Sequence, residues 1–263
     1  PPFLRTEDGW GNEGVTFLTD LAAWFDGVKA EFILNFIDKN RWRMIVTGLG
    51  NTLLIALLAC LIGIALGVVV AVLRTTWDNA GATMRKGPVR WIFAFFNRVC
   101  LVYTTIIRGT PMVIQLLIMY YIIFATSDNG IMVATLAFGI NSGAYVSEIF
   151  RSGIMSIDKG QMEAGRSLGL NYLKTMWFVI APQVLKNVLP TLANEFITLL
   201  KETSVAGYVA VSDLTFAGNR IRGVTYSPFM PLIAVAIIYL ILVMFLTHMV
   251  GRLERRLRQG DNR

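Results

Sequence analysis

Residues Met44–Leu73 read MIVTGLGNTLLIALLACLIGIALGVVVAVL, an uncharged run of 30 residues that decides the class of this protein. A helix needs about 20 apolar residues to cross the hydrocarbon core of a bilayer. A second uncharged run of 29 residues, Gly223–Gly251, is also long enough. The chain of 263 residues is 55% hydrophobic and only 16% charged, whereas about 25% of the residues in soluble domains are charged. The two runs therefore predict two membrane-spanning helices.

Three further stretches predict additional spans. Gly109–Ser127 and Asn129–Ser147 are uncharged, and Thr175–Leu200 is apolar but contains Lys186 and Glu195. A helix with charges at membrane depth cannot face lipid on all sides, because each charge needs a partner or water. We therefore expect an all-α integral membrane protein with five transmembrane helices, of which the fourth lies inside the bundle.

The distribution of basic residues predicts the orientation of the chain. Lysine and arginine concentrate in cytoplasmic loops. Three regions are rich in them, and five spans place all three on one side of the membrane. These residues are Arg74, Arg85, Lys86, Arg90 and Arg98 after the first span, Arg151, Lys159, Arg166 and Lys174 between the third and fourth, and Arg252, Arg255, Arg256, Arg258 and Arg263 after the last. We expect residues 252–263 to form a basic cytosolic tail and the N-terminus to lie outside. The net charge of +7 then reflects topology, and it gives no reason to expect a nucleic-acid partner.

Residues 1–40 are predicted to form a separate extracytoplasmic segment, because their charge bias is reversed. The segment has three basic residues and seven acids, namely Glu7, Asp8, Glu13, Asp20, Asp26, Glu31 and Asp38. Within it, Val15–Asp38 has one apolar side, formed by Phe17, Leu18, Leu21, Trp24, Phe25, Val28 and Phe32. This pattern is typical of an amphipathic helix on the membrane surface, with a very short sixth span as the alternative. Residues 41–251 then form the transmembrane domain.

The loop between the third and fourth spans is long enough to contain a helix of its own. Lys159–Gly169 has residues that favour a helix, and Gly169 is suited to end it as a C-terminal cap. A short helix held off the membrane offers a rigid surface that another protein can bind. A simple connection between two spans is the alternative.

The same loop resembles the EAA motif of ABC importer permeases. The residues on its register are Glu163, Ala164, Gly169 and Pro182. The departures from it are Gly165 where a second alanine is usual, Val179 for isoleucine and Ala181 for leucine.

Three other passages resemble the polar amino-acid uptake branch of these permeases, which transports amino acids such as histidine, glutamine and arginine. They are Arg108–Pro111 followed by Gln115 and Leu116, then Ala144–Arg151, and then Asn194–Phe196 with Leu200–Val205. The resemblance extends from about Arg41 to Val250. It implies the type I ABC importer permease fold with a cytosolic coupling helix.

The resemblance also implies a division of labour between several chains. In that family, the EAA helix docks on a cytosolic ATPase, and closure of two ATPase subunits drives alternating access. The residues implied to contact the ATPase are Glu163, Ala164, Gly165, Ser167, Leu168 and Gly169. Alternatively, Glu163 is the acid at the N-terminal end of its own helix, where the helix dipole favours a negative charge.

The chain has no Gly-x4-Gly-Lys-Ser/Thr phosphate loop, so we expect ATP and magnesium to bind only to the ATPase. We expect no cofactor and no catalytic residue in this chain, which is a transport subunit rather than an enzyme. The implied partners are ABC ATPase subunits, a second permease subunit (the same chain or a similar one), an extracytoplasmic substrate-binding protein and membrane lipid. The implied location is the bacterial cytoplasmic membrane, and the implied cargo is a polar amino acid.

The fourth span carries a polar stripe that suggests a path for the substrate. Glu195, Thr198 and Glu202 share one face of a helix, and Asn194 and Lys201 lie on the adjacent face with Asn187. Such a stripe supplies acids for an ammonium group and donors for a carboxylate. The alternative is that Glu195 and Lys201 lie at the outer membrane interface. Gln115 and Tyr145 complete the candidate pathway.

Several smaller features have local interpretations. Glu148 and Arg151 are predicted to form an ion pair at the cytosolic end of the third span. Arg108 marks the cytosolic edge of the second span, with a direct substrate role as the alternative. Gly63 and Gly67 are predicted to pack closely against another helix. The two cysteines, Cys60 and Cys100, are predicted to be unpaired, and no metal-ligand spacing is present.

Two other classes of protein fit the sequence less well. A secondary transporter predicts an inverted repeat, and a membrane enzyme needs a nucleophile and base or metal ligands at membrane depth. No convincing repeat is found, and one histidine with two cysteines supplies little catalytic chemistry.

Overall fold

The computed structural model describes residues 9–81, 84 and 86–259, and these residues form helices and no strand. Side chains are described from residue 19 onward, except at residues 80, 258 and 259. The sequence interpretations of ten residues therefore lie, in whole or at the side chain, outside the described part of the chain. These residues are Arg5, Glu7, Asp8, Glu13, Phe17, Leu18, Arg85, Arg258, Asp261 and Arg263.

Ten α-helices follow one another along the described residues, several of them extended by short π or 3-10 turns. They are α1 Gly9–Phe32, α2 Trp42–Ala80, α3 Pro88–Gly109, α4 Met112–Ile118, α5 Gly130–Met155, α6 Lys159–Ser167, α7 Tyr172–Thr175, α8 Ala181–Glu202, α9 Leu214–Thr225 and α10 Phe229–Gln259. The π turns are Ile33–Ile37, Met119–Ile123 and Met176–Ile180, and the 3-10 turns are Asp38–Asn40 and Thr203–Val209. The predicted all-α class is confirmed.

Four helices in the described part of the chain are long and apolar enough to cross a membrane. They are Trp42–Asn79, Pro88–Gly109, Gly130–Met155 and Phe229–Leu257. The fifth predicted span, Thr175–Leu200, is helical from α7 to α8. Its charges and prolines make it less apolar, and it packs against α5, α10 and α2 inside the bundle, as its sequence predicts.

The predicted boundaries of the second span are wrong. The span-length helix begins at Pro88, and Arg90 and Arg98, which the sequence places in a loop, belong to α3. The predicted segment Gly109–Ser127 contains only a shorter apolar helix, Met112–Ile123. The reason is that α3 is amphipathic, so a search for uncharged runs misses its first half. The backbone is extended at Thr110 and Pro111, where α3 ends and α4 begins.

Close glycine contacts join α2 to α5. A Cβ atom at Gly63 would lie 2.7 Å from Ser142 Oγ, and one at Gly67 would lie 2.5 Å from Val146 Cγ1. Small residues at such positions let two helix backbones approach each other. The predicted packing role of the two glycines is confirmed, and the order of the contacts shows that α2 and α5 run parallel.

The helix α8 runs antiparallel to α5. Gly153, near the end of α5, lies against Val188, whereas Ser142 in its middle lies against Glu195, further along α8. Both cysteines are free and buried, which agrees with their predicted unpaired state.

The helices α2, α5 and α10 all end on the same side of the bundle. We call this side the basic end. Ser156, just after α5, and Glu254, near the end of α10, line the same surface pocket there. The helices α6 and α7 connect α5 to α8 at this end. That the basic end faces the cytosol stays a prediction.

The N-terminal segment is helical, as predicted, although α1 begins at Gly9 and ends at Phe32. On the described part of the predicted apolar face, Leu21, Trp24, Phe25 and Phe32 are exposed, with Trp24 61% accessible, and Val28 is half-buried. The following turn is tied to the bundle by Asn35, which is fully buried and accepts a hydrogen bond from Thr225 Oγ1 of α9 at 2.7 Å. The placement of α1 on a membrane surface stays a prediction.

Candidate functional site

The start of α6 is fixed by Asp158. Its carboxylate accepts a hydrogen bond from the backbone N–H of Gly160 at 2.6 Å, which makes Asp158 the N-cap. Because α6 begins at Lys159, Glu163 lies in the second turn and is exposed. The interpretation of Glu163 as the first-turn acid is therefore wrong. An N-capping carboxylate is stabilising at this position, and Asp158 supplies it.

The end of α6 is fixed by Gly169, as predicted. Its φ of +84° is in the left-handed region, where glycine has no steric penalty. Its N–H donates to the carbonyl of Arg166 at 3.0 Å, and the N–H of Leu170 donates to that of Gly165 at 3.1 Å. These two bonds form a Schellman motif. Both ends of α6 are therefore held by local hydrogen bonds.

Gly165 attaches α6 to the next helix. It is buried against Thr175, and a Cβ atom at residue 165 would overlap the Thr175 methyl group. Thr175 is fully buried, and its hydroxyl donates to the carbonyl of Asn171 at 3.1 Å. Gly165 replaces the usual alanine because Thr175 fills the space that an alanine needs.

The opposite side of α6 is exposed. Of the six residues that the resemblance assigns to ATPase contact, Gly165 is buried and the other five are exposed, namely Glu163, Ala164, Ser167, Leu168 and Gly169. Leu168 is 83% accessible, and Leu173, the second residue of α7, is 74% accessible. Leu173 is not among the residues predicted from the sequence, although an apolar residue beside a capped helix is a usable signal. We call this surface, formed by Glu163, Ala164, Ser167, Leu168 and Leu173, the α6 surface.

A cavity of about 510 Å³ lies between α5 and α8 towards the basic end. Two candidate pathway residues, Tyr145 and Glu195, line it. The other lining residues are Arg108, Glu148, Ile149, Ser152, Gly153, Ser156, Asn187, Val188 and Thr191. The cavity therefore has charged groups of both signs in a wall of hydroxyl, amide and aliphatic side chains.

Glu195 lies deep in the bundle. It accepts a hydrogen bond from Ser142 Oγ at 3.1 Å, and Ser142 contacts Gly63 near the middle of the uncharged run in α2. This depth favours the pathway interpretation of Glu195 over a position at the outer interface.

Most of the other candidates on α8 are more exposed than Glu195, which is half-buried. Asn194, Thr198 and Lys201 are exposed, and Glu202 is half-buried at the last residue of the helix. Lys201 lies six residues beyond Glu195, or about 9 Å further from the basic end. For Lys201, the interpretation as a residue at the outer interface therefore stays open.

The side chain of Gln115 forms hydrogen bonds at the break between α3 and α4. Its amide nitrogen donates to the carbonyls of Ile107 at 2.7 Å and Thr110 at 3.1 Å, and its oxygen accepts from Asn141 Nδ2 at 3.0 Å. Gln115 therefore braces the extended backbone, and the structure does not bring it to the cavity of Tyr145 and Glu195.

Glu148 is the centre of an ion-pair cluster beside the cavity. Its Oε1 accepts from Arg74 Nη1 at 2.6 Å and its Oε2 accepts from Arg151 Nε at 3.1 Å. Arg108 Nη1 lies 3.8 Å from Oε1, and Arg151 also lies 3.7 Å from Asp78. The predicted pair of Glu148 with Arg151 is confirmed. The contacts of Arg74 and Arg108 with Glu148 are not predicted by the sequence pattern, because both residues are far from Glu148 along the chain.

Arg108 is additionally placed over an aromatic ring. Its guanidinium carbon lies 5.6 Å from the centroid of Tyr145. Across the described residues, no group of three or more histidine, cysteine, aspartate or glutamate side chains is arranged to hold a metal ion. The site can therefore bind and orient a polar molecule by charge, hydrogen bonds and aromatic contact.

Comparisons with known proteins show the family to which this chain belongs. Residues 80–259 match the family described as binding-protein-dependent transport system inner membrane component. The arginine transport system permease protein ArtQ of Bacillus subtilis (strain 168) is 37% identical over 220 residues, which cover 82% of this chain and 94% of that protein. The glutamine transport system permease protein GlnP of Escherichia coli (strain K12) is 36% identical over 219 residues, which cover 82% of this chain and 93% of that protein.

A solved structure, described as an amino acid ABC transporter with histidines, has a similar fold. The two superpose with a TM-score of 0.73 at 34% sequence identity, covering 84% of this chain and 98% of that one. The predicted type I ABC importer permease fold is thereby confirmed. The chain belongs to the family of binding-protein-dependent transport system inner membrane components, as its resemblance to the permease subunits of ABC importers indicates.

Proposed function

We propose that this chain is the permease subunit of an ABC importer that moves a polar amino acid across the bacterial cytoplasmic membrane by alternating access. The observation that carries the proposal is the construction of α6, a short helix capped at both ends and packed against α7 through Gly165. The names of the relatives, which include arginine and glutamine permeases, support an amino acid as cargo.

A separate ATPase subunit supplies the energy in this proposal. The chain lacks a phosphate loop, so ATP and magnesium bind to the ATPase and this chain hydrolyses nothing. A second permease subunit and an extracytoplasmic substrate-binding protein complete the importer. The N-terminus lies outside and the basic end of the bundle faces the cytosol, where the ATPase is found.

The α6 surface is the proposed contact with the ATPase. It combines an acid, Glu163, with two strongly exposed leucines, Leu168 and Leu173. An apolar contact with a polar rim is the usual composition of a stable protein interface. Because both ends of α6 are capped, the ATPase can displace α6 as one body.

In this proposal, movement of α6 reaches the substrate path along α7 and α8. Gly165 contacts Thr175 at the end of α7, and α7 continues through a π turn into α8. Glu195, on α8, lines the cavity. We expect a displacement of α6 to move α7 and α8 with it, and so to move the wall of the cavity.

The proposed path follows α8 and the facing part of α5. Its candidate residues on these two helices are Tyr145, Asn194, Glu195, Thr198, Lys201 and Glu202. Gln115 contributes to the path indirectly, because it braces the break that holds Arg108 beside Tyr145.

The proposal is tested by uptake into proteoliposomes that contain the chain, its ATPase and its binding protein. We expect radiolabelled arginine or glutamine to accumulate only when ATP is inside together with the ATPase. Uptake that follows an ion gradient in the absence of ATP would instead identify a secondary transporter. Vesicles with an ATPase that cannot hydrolyse ATP are the matched control.

A further inference from the structure

We propose that a groove between the end of α2 and α3 binds one anionic phospholipid from the leaflet at the basic end. The lipid phosphate lies against Lys86 and Arg90, and an acyl chain lies along the apolar side of α3. This inference uses only the membrane location of the family and does not depend on the cargo.

Two adjoining cavities form the groove. The first, of about 350 Å³, is lined by Trp77, Lys86, Arg90, Trp91 and Ala94. The second, of about 560 Å³, is lined by Trp91, Ala94, Phe95, Arg98, Val99 and Val102. Because Trp91 and Ala94 line both cavities, the two form one groove that starts at the basic end and follows α3. We call it the α3 groove.

The α3 groove is cationic. Lys86 and Arg98 are exposed, and Arg90 is half-buried. None of the three forms an ion pair with another described residue, and no acid lines either cavity. Basic pockets between membrane helices attract anionic headgroups. The ammonium group of a zwitterionic lipid would find no acid here, so the lining favours a headgroup with a net negative charge.

The remaining wall of the groove is apolar and aromatic. Trp91 is 76% accessible, and Phe95, Val99 and Val102 are also exposed. Tryptophan is enriched where membrane proteins cross the headgroup region. From Trp91 to Val102 the helix rises by about 17 Å. One leaflet contributes about 15 Å of the hydrocarbon core, so this wall has the length of one acyl chain.

Arg98 lies deeper along α3 than the other two cations, because eight residues separate it from Arg90, or about 12 Å along the axis. Long side chains on a helix point back towards its N-terminus, which for α3 is the basic end. Arginine also lays its aliphatic stem along apolar surface and extends its charge towards the headgroups. Arg98 therefore approaches the phosphate from the hydrocarbon side.

The α2 side of the groove is held in place by local contacts. The N–H of Gly81 donates to the carbonyl of Trp77 at 2.8 Å, and a Cβ atom at Gly81 would lie 2.9 Å from Cδ2 of the indole ring. Asp78, the acid next to Trp77 in the chain, lies 3.7 Å from Arg151 and outside the groove lining. The wall is therefore formed before a lipid binds.

Charge also argues against a second copy of the chain as the occupant. In a two-fold symmetric contact, the same surface patch of both copies meets. Such a contact through the α3 groove would bring Lys86, Arg90 and Arg98 of one copy close to the same residues of the other. Like charges placed across an interface oppose association. An anionic lipid satisfies the cations instead.

Binding of defined lipids to the purified full-length chain in detergent tests this inference. The delipidated chain is titrated with dioleoyl phosphatidylglycerol or dioleoyl phosphatidylcholine, and bound lipid is counted by native mass spectrometry. We expect one phosphatidylglycerol per chain and binding of phosphatidylcholine about tenfold weaker or less. Lys86→Gln with Arg90→Gln should weaken phosphatidylglycerol binding by about 25-fold, since each basic residue near an anionic headgroup contributes about fivefold.

Two further pairs of substitutions make the outcome specific. Lys86→Arg with Arg90→Lys keeps both charges and should bind as the native chain does. Arg252→Gln with Arg256→Gln is the matched control, because both residues are exposed on α10 at the basic end and line neither cavity. Equal affinity of the native chain for the two lipids would overturn the inference. An equal loss in the α10 control would do the same.

Fluorescence quenching by a brominated phosphatidylglycerol locates the bound lipid. At one lipid per chain, we expect less quenching in Trp91→Phe than in the native chain, and unchanged quenching in Trp24→Phe, which alters the exposed tryptophan of α1. Quenching that is the same in Trp91→Phe and the native chain would place the lipid elsewhere.

Oxidative cross-linking in native membranes tests the competing occupant. If Trp91→Cys links two copies of the chain to each other, a second copy covers the α3 groove and the lipid inference is wrong. We expect no such link. Elution as a monodisperse species confirms that each variant has folded.

Discussion

Gly165 and Thr175 are in such close contact that a single methyl group on Gly165 would overlap the side chain of Thr175. This contact joins α6 to α7, and α7 leads into α8. The packing of the proposed coupling helix against α7 therefore depends on the absence of a Cβ atom at Gly165 and on the side chain of Thr175. It also explains why the EAA register of this chain departs from its usual second alanine.

We predict that Gly165→Ala weakens the attachment of α6 and that Thr175→Ser restores it. Overpacking of a close contact costs about 1–3 kcal/mol. Serine lacks the methyl group of threonine but keeps the hydroxyl that donates to Asn171. Gly165→Ala alone should lower ATP-dependent uptake and co-purification with the ATPase, and the double variant should recover both. A double variant as impaired as Gly165→Ala would show that the contact does not position α6.

The charge on the α6 surface gives a second prediction. Glu163 is exposed in the second turn of α6, so Glu163→Lys should change the free energy of unfolding by less than about 0.5 kcal/mol. It should nevertheless disrupt the complex with the ATPase and the ATP hydrolysis coupled to transport. Gln161→Lys is the matched control, because it places the same lysine on the same helix but on another side. If Glu163→Lys leaves both the complex and the coupled hydrolysis intact, the assignment of this residue to coupling is wrong.

The features that could be predicted from sequence are those set by nearby residues. Gly169 ends α6 because glycine adopts the positive φ that the turn requires. Gly63 and Gly67 pack closely against α5 because their spacing places both on one face of α2. The uncharged run Met44–Leu73 likewise predicts its own span, which lies within α2.

The features that could not be predicted depend on residues far apart or on the edges of elements. Arg74 reaches Glu148 across 74 residues, so only the fold brings them together. The start of α3 at Pro88 was missed because charges on one face hide an otherwise apolar helix. Glu163 was interpreted as a first-turn acid because the N-cap, Asp158, is identified only once the helix boundary is known.

The cluster around Glu148 gives a third prediction, on stability. We expect Arg74→Gln to lower the unfolding temperature in detergent more than Arg151→Gln does. Arg74 makes the shorter ion pair, at 2.6 Å compared with 3.1 Å, and is less accessible, so Glu148 loses its best partner. A hydrogen bond to a charged group is worth about 1.5–3 kcal/mol. Equal unfolding temperatures in the two variants would mean that the pair of Arg74 with Glu148 adds no more stability than the pairs of Arg151 with Glu148 and Asp78.

The polar stripe of α8 gives the last prediction. Glu195→Gln keeps the size of the side chain and its hydrogen bond to Ser142 but removes the charge offered to an ammonium group. We expect the KM for ATP-driven uptake to rise by about tenfold or more, with basal ATP hydrolysis retained, since a charged hydrogen bond is worth about 1.5–3 kcal/mol. Glu202→Gln should have a smaller effect, because Glu202 lies two turns further along α8, at its last residue. Asp128→Asn, an exposed acid outside the helices, is the matched control and should leave uptake unchanged. Glu195, the deeper acid, should matter more than Glu202 at the helix end. Unchanged uptake in both variants would show that α8 does not line the substrate path.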